Sequence, residues 1–281
     1  MEIVRSIEAM ANAIGWRRSN RQIGLVSTMG NLHDGHDALI KACLDEADIS
    51  VVSLYVNPLQ FDDDDAFARY PRNLDADAKH LEELGVDYLF APRDEEMFPA
   101  GTLDLTTVRL PRLAIELQGV DNPRLYNAKA TIWLKIFNIV HPEIVYQGEK
   151  DLQELVLIKR MVEELNLTLK LTRLPIVRDE NNVALSAGLA QLTDAQRRTA
   201  RILYQTLNDV AFAIRNGARN FSKLEQTARV ALRGGGFETE YIAVREGATL
   251  SAPTDKTMNF RVLAAVQLGL ARLTDNVGVE L

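Results

Sequence analysis

Two kinds of hydrophobic pattern alternate along the chain. Some short runs are apolar throughout; longer stretches carry an apolar residue every three or four positions. Residues 49–56 (ISVVSLYV) belong to the first kind, and 23–28 (IGLVST) read as a strand before them. A strand with one face in water would alternate polar and apolar. The run 49–56 does not, so it suits a strand covered on both faces, as in a parallel sheet. The segments VDYLFAP (86–92), EIVYQGEK (143–150) and LKLTRLPIV (169–177) continue the series. Helical spacing lies between them: 36–47, with Ala38, Leu39, Ala42 and Cys43 on its apolar side, then 73–84 ended by Gly85, 127–140 and 151–165. Residues 2–15 predict a further amphipathic helix. This alternation implies an α/β fold, a Rossmann-like doubly wound parallel sheet, with ligands at the C-terminal ends of its strands.

The pattern changes after Pro175. Helical stretches over 193–215 and 221–233 lead to Gly234-Gly235-Gly236, which reads as a flexible turn. EYIAVRE (240–246) predicts a strand, and FRVLAAVQLGLARLTDNV (260–277) a mixture of strand and helix. The expected organisation is a Rossmann-like domain over 1–174 and a smaller C-terminal α+β domain over 175–281.

Composition narrows the partners. With 281 residues, 47% hydrophobic and 25% charged, the chain has the make-up of a globular protein of one or two domains. A formal charge of −7 argues against non-specific nucleic-acid binding. Cys43 is the single cysteine, which excludes an intrachain disulfide and fits a reducing cytoplasm. The opening MEIVRSIEAMANAIGW has acidic residues and no long apolar core, unlike a signal peptide. No run approaches the ~18 apolar residues that span a bilayer. A cytoplasmic protein with small-molecule ligands, and neither nucleic acid nor membrane as partner, is expected.

The segment Val26-Ser-Thr-Met-Gly-Asn-Leu-His-Asp-Gly-His36 carries the most chemistry. It places a strand, a glycine turn and two histidines three residues apart at the mouth of a helix. Gly30 and Gly35 let backbone approach phosphate oxygens. The helix start offers N–H groups and the positive end of its dipole. His33 and His36, at i and i+3, share one side of the first turn and can donate to an α-phosphate whose charge grows in the transition state. Such a pair also suits a helix cap or a zinc site, although no third ligand stands at a usual metal spacing.

Four more segments fall where strands end. Val56-Asn-Pro-Leu-Gln-Phe61 offers Asn57 and Gln60 as neutral donors and acceptors. Ala68-Arg-Tyr-Pro-Arg72 is a candidate flap. In Tyr146-Gln-Gly-Glu-Lys-Asp-Leu-Gln153, Gly148 permits close approach, Lys150 is a point charge for phosphate, Asp151 suits ribose hydroxyls and Gln153 begins the next helix. Ser186, in Val183-Ala-Leu-Ser186, could donate to a phosphate.

In this order the segments resemble the pantoate–β-alanine ligase family, from TMGNLHDGH through VNPLQF, RYPR, FNIVHPEIVYQGEKD and ALS to the closing RLTDN. The resemblance implies a two-domain Rossmann-like member of the H-x-G-H nucleotidyl-transfer group, a homodimer using ATP and magnesium, the Mg2+ arriving on the nucleotide. It implies a carboxylic acid and an amine as substrates, joined through an acyl-adenylate. By position, His33, His36 and Lys150 look like the catalytic groups on the phosphates. Met29, Gly30, Gly148, Asp151, Leu185 and Ser186 look like nucleotide contacts. Met29, Gln60 and Gln153 look like the acid pocket, and Asn57 is placed for the amine. No resident metal is expected.

The chain departs from the family pattern in two places. Where the family reads R-P-G-H-F-x-G, this chain reads Asn122-Pro-Arg-Leu-Tyr-Asn-Ala128; where it reads L-S-S-R-N, this chain reads Leu185-Ser-Ala-Gly-Leu189. Asn122, Leu125, Ala187 and Gly188 thus replace an Arg, a His, a Ser and an Arg, with Arg124 as a neighbouring positive charge. A hydrogen bond to a charged group contributes roughly 1.5–3 kcal/mol, so each loss matters. The expectation is an amide-forming ligase with an altered acid or amine. The alternatives are a genuine pantothenate-forming enzyme with a compensated site, or a weakened nucleotide-binding paralogue. The same H-x-G-H also serves nucleotidylyltransferases, although the NPLQF and GEKD segments fit acid activation better.

Other polar residues are read as structural. Asp62-Asp-Asp-Asp65 is a solvated acidic flap tip rather than a cation site. His80 is expected on an exposed helix face, and His141 at a structural junction.

Overall fold

The computed structural model describes every residue except 16–19, 62 and 121. The chain forms two compact units. Met1–Gly148 with Leu157–Leu174 make the first; Glu149–Val156 with Pro175–Leu281 make the second. Residues 149–156 therefore belong with the C-terminal part, although they precede Pro175 in sequence.

In the first unit, strands β1 (Glu2–Val4), β2 (Ile23–Thr28), β3 (Ile49–Leu54), β4 (Tyr88–Phe90), β5 (Ile144–Gly148) and β6 (Lys170–Leu174) form one sheet. Its order is β1-β4-β3-β2-β5-β6, and every pairing is parallel. The uniformly apolar runs are its centre: Leu25, Val26, Val51 and Val52 are all buried. Chain order reverses between β2 and β5, the crevice that open α/β sheets use for ligands. The β2 loop and Gly148 lie at this reversal.

Helices α1 (Ile7–Gly15), α2 (Asp34–Glu46), α3 (Asp64–Arg69), α4 (Leu74–Leu84), α5 (Asp94–Met97), α6 (Pro123–Val140) and α7 (Leu152–Glu164) accompany the strands, and α7 crosses from the second unit into the first. One face packs through Val26, Ile40, Cys43, Val52, Leu81 and Leu89. Each such side chain contributes roughly 1.5–3 kcal/mol by leaving water. Helix α4 ends as its sequence dictates: Gly85 adopts φ 90° and its N–H returns to the Leu81 and Glu82 carbonyls.

The helix expected over 2–15 is divided. Glu2–Val4 pairs with Tyr88–Phe90 at the sheet edge, and only Ile7–Gly15 is helical. The local pattern fits either state, and the open edge of β4 decides it.

The second unit contains α8 (Asp194–Arg215), α9 (Phe221–Gly234), β7 (Glu238–Glu246), β8 (Asn259–Leu268) and β9 (Ala271–Glu280). Its sheet is antiparallel, in the order β7-β8-β9. Thr193 opens α8 with a capping box closed by Gln196. Ala200, Leu203, Leu207, Val210 and Ile214 form its buried stripe against Ile242, Val244, Val262, Val266 and Val279.

Residues 260–277 are wholly strand and turn, with no helix. Gly269, at φ 60°, opens the two-residue turn between β8 and β9, and the apolar run VLAAV is the middle strand of three. Gly234 closes α9, Gly235 caps it and Gly236 takes φ 83°, so the glycine run is an ordered helix stop.

Candidate active site

The H-x-G-H loop is built by three devices. His33 caps α2: its Nδ1 accepts the Gly35 N–H at 3.1 Å, and its carbonyl takes the N–H groups of His36 and Asp37. An accepting Nδ1 places the ring proton on Nε2, which is then a donor. The helix thus starts at Asp34, two residues before the expected start. His36 Nε2 lies 3.1 Å from the Thr28 hydroxyl, which also accepts the Gly30 N–H. The two imidazoles stand 4.2 Å apart, tilted by 47°. A histidine donor at a helix mouth suits an anionic group.

The third device is Asp77 on α4. Its carboxylate accepts the N–H groups of Asn31 and Leu32, both at 3.0 Å. Gly30 at φ 89° and Asn31 at φ 56° make the left-handed turn that aims these amides at it. The Asn31 side chain donates to the Pro71 carbonyl at 2.9 Å, tying the loop to the RYPR segment. Sequence reading missed Asp77, yet its signal is visible: a lone carboxylate in the apolar stripe Leu74, Ala78, Leu81. His80, expected to be exposed, is half-buried and bonds Asp37 of α2 at 2.8 Å. His141 is exposed and ends α6 in a left-handed conformation, φ 49°.

Asn57 is fully buried. Its Oδ1 accepts the Leu59 N–H at 3.1 Å and its Nδ2 donates to the Ala128 carbonyl at 3.4 Å, so it shapes the Asn-Pro turn that carries Gln60. Gln60 is half-buried at the end of that turn. A cavity of about 410 Å³ opens over the ends of β2, β3 and β4, with Met29, Gly30, Tyr55, Phe67 and Arg72 among its lining. Asp63 caps α3 through the Ala66 N–H, and Asp64 and Asp65 occupy its first turn, where the dipole favours acids. Asp62 lies outside the described residues.

The first departure from the family pattern has a local role. Asn122 caps α6 by accepting the Leu125 N–H at 3.2 Å, with Pro123 next in the first turn. Arg124 is exposed, whereas Tyr126 is buried and donates to Gln118 Oε1 at 2.8 Å.

The second unit holds Lys150, Asp151, Gln153, Leu185 and Ser186. Lys150 Nζ lies 3.0 Å from Asp151 Oδ1 and 3.4 Å from Thr274 Oγ1. Asp151 is exposed and Gln153 is buried. Ser186 precedes a short 3-10 turn, Ala187–Gln191; its hydroxyl is buried, with no hydrogen-bond partner among the described residues. A Cβ on Gly188 would stand 3.1 Å from the Arg272 carbonyl oxygen. Among the described residues no three His, Cys, Asp or Glu side chains gather to hold a metal ion. No helix there is long and apolar enough to cross a membrane.

A parallel α/β sheet with an H-x-G-H loop at its reversal point, joined to a small α+β unit, defines a Rossmann-like protein of the nucleotidyl-transfer kind. The family model described as pantoate-beta-alanine ligase matches residues 2–278. The chain belongs to that family, and so to the ATP-dependent, AMP-forming carbon–nitrogen ligases.

Similar chains include the pantothenate synthetase of Nitrosococcus oceani, 40% identical over 282 residues, covering 100% of this chain and 99% of that protein. That of Thioalkalivibrio sulfidiphilus is 39% identical, with 100% and 99% covered. Among solved structures, the pantothenate synthetase of Thermus thermophilus shares 34% identity at a TM-score of 0.89, covering 99% of both chains. The pantoate-beta-alanine ligase of Francisella tularensis, complexed with beta-gamma ATP and beta-alanine, shares 29% at 0.81, covering 99% of this chain and 97% of that one. Likeness along the whole length gives no support to a diverged member with an altered substrate pair.

Proposed function

We propose that this enzyme joins pantoate to β-alanine at the cost of ATP cleaved to AMP and pyrophosphate. A pantoate carboxylate oxygen attacks the α-phosphorus, and the bond to the pyrophosphate oxygen breaks. The β-alanine nitrogen then attacks the acyl carbon; AMP leaves and the amine proton passes to solvent. The observation that carries the reading is the ordered H-x-G-H loop, with His33 Nε2 set as a donor beside His36 at the start of α2.

His33, His36 and Lys150 stabilise the phosphates as charge develops. Gly30, Gly148, Asp151, Leu185 and Ser186 contact the nucleotide. Met29, Gln60 and Gln153 hold the acid, and Asn57 shapes the place of the amine. Magnesium enters as part of MgATP, as substrate rather than resident metal. Residues 1–174 carry most of the ATP and acid contacts, and 175–281 add Leu185 and Ser186. The enzyme works in the cytoplasm as a homodimer; family likeness supports both statements, and light scattering checks the second.

The test is mass-spectrometric detection of pantothenate and AMP from MgATP, D-pantoate and β-alanine. His36→Ala should abolish adenylate formation while circular dichroism stays unchanged, because the side chain serves a loop rather than the core. AMP formed only with another acid or amine would overturn the substrate assignment.

A further inference from the structure

The closing RLTDN segment places two polar residues next to each other in the middle of β9, and both are buried: Asp275 and Asn276 are each 3% exposed. Burying two such side chains costs free energy unless they are fully used. Successive strand residues point to opposite faces. Asp275 has the same parity as Leu273, Val277 and Val279, which pack in the cluster beneath the helices; Asn276 and Thr274 face the other way.

Each face holds a different segment of the second unit. On the helix face, Asp275 takes a two-pronged bond from Arg178 at 2.7 and 2.8 Å, and that guanidinium lies 3.9 Å over the Tyr204 ring. Burial pushes the Asp275 carboxyl up, against the opposing pull of Arg178. Arg178 also donates to the Asn182 carbonyl and pairs across a β-bridge with Ala184, so it grips the tight turn that runs into Leu185 and Ser186. On the opposite face, the Asn276 amide donates to the carbonyls of Glu149 at 2.7 Å and Lys150 at 3.3 Å. Arg261 completes that side, bonding both Glu149 Oε2 and Asn276 Oδ1. The Asn276 N–H donates to Asp275 Oδ1 at 2.7 Å, joining the two faces.

We propose that Asp275 and Asn276 are positioning residues for adenylation: from opposite faces of β9 they set Lys150 and Ser186 for the nucleotide phosphates. This rests on the proposed function, since it assigns the phosphates to those two groups. Neither β9 residue need touch substrate. Asn276 fixes the backbone from which Lys150 projects, and Asp275 fixes the turn that carries Ser186.

The test uses the full-length chain and three variants. Asn276→Asp is nearly isosteric and keeps an acceptor for Arg261, but loses the donor to the 149 and 150 carbonyls. Asp275→Asn weakens the grip on Arg178. Thr274→Val, which removes only the hydroxyl beside Lys150, serves if the other two fail to fold. Pyrophosphate release from MgATP and D-pantoate without amine should slow by about ten- to a hundredfold in the first two, as expected for displaced charge-stabilising groups, and less in the third. Affinity for β,γ-methylene ATP, measured by calorimetry, should fall in parallel.

A purely structural role would lower the unfolding temperature and leave both constants of the folded enzyme unchanged; that result overturns the proposal. If the wild type itself releases no pyrophosphate, the functional reading fails. Binding of the ATP analogue then decides the positioning role by itself: weaker binding in the variants sustains it, and unchanged binding sinks it.

Discussion

Asp77 accepts the backbone N–H of Asn31 at 3.0 Å across 46 positions of sequence, and this bond sets where the H-x-G-H loop begins. The same carboxylate holds the Leu32 N–H, and the residue is 7% exposed. Asp77→Ala therefore leaves two shielded donors without their acceptor, at a cost of roughly 2–4 kcal/mol. Urea denaturation should show that loss, and pyrophosphate release should slow at least about tenfold because His33 follows directly. Asp77→Asn, which keeps one acceptor oxygen, should fall between. Full activity in the folded Ala variant would mean that the loop keeps its shape without this anchor.

Gly30 lies beside the same carboxylate, at the oxygen that holds the Asn31 N–H. It adopts φ 89°, and a Cβ there would stand 2.9 Å from Asp77 Oδ2. Gly30→Ala combines backbone strain with displacement of the anchor, together worth roughly 1–3 kcal/mol. Lower thermal stability and a higher KM for ATP are expected together. Gly85→Ala is the comparison: its φ of 90° carries the same strain, but nothing beyond its own chain neighbours lies within 4 Å of the added carbon. It should lose stability and leave KM alone.

Cys43 gives a pH signature. Burial, with the charge of Asp87 next in importance, pushes its thiol from 9.0 up to about 12. Between those values the folded state retains a proton that the unfolded chain releases. Stability should thus fall as pH rises above about 9, by up to about 1.4 kcal/mol per pH unit from this group. Denaturation midpoints at pH 8 and 10.5, for the wild type and for Cys43→Ala, measure it. Equal declines in the two proteins would remove the thiol as the cause.

The Ala187→Ser, Gly188→Arg double variant tests the second departure. The new Cβ at 188 requires the Arg272 carbonyl to yield by a few tenths of an ångström, so a small loss of stability is expected. In return a guanidinium bonded to phosphate or carboxylate contributes roughly 1.5–3 kcal/mol. Pantothenate formation should quicken about tenfold or more, followed by mass spectrometry. A slower double variant would show that the loop works as it stands.

Local chemistry made part of this protein legible in one dimension. Runs such as Ile49–Leu54 are buried along nearly their whole length, and their apolar pattern already requires cover on both faces and hence a parallel sheet. Gly85 and Thr193 mark helix ends through backbone rules that act within four residues. The two histidines beside a helix start, and the ordered set of segments that marks the family, are likewise sequence properties.

Tertiary structure decided whatever depended on a distant partner. Whether residues 2–4 joined a helix or a strand turned on the open edge at Tyr88–Phe90. Whether VLAAV became helix or strand turned on neighbours to either side, Ile242–Val244 and Asn276–Val277. Asp77 carried no motif, and RLTDN marked Asp275 and Asn276 without saying what they hold, because the meaning of all three lies in amides, a guanidinium and carbonyls brought to them from 45 to more than 100 residues away. Apolar periodicity fixes which face turns inward. A buried polar group is fixed only by the partner that folding delivers, since burial without one would cost more than the chain's marginal stability allows.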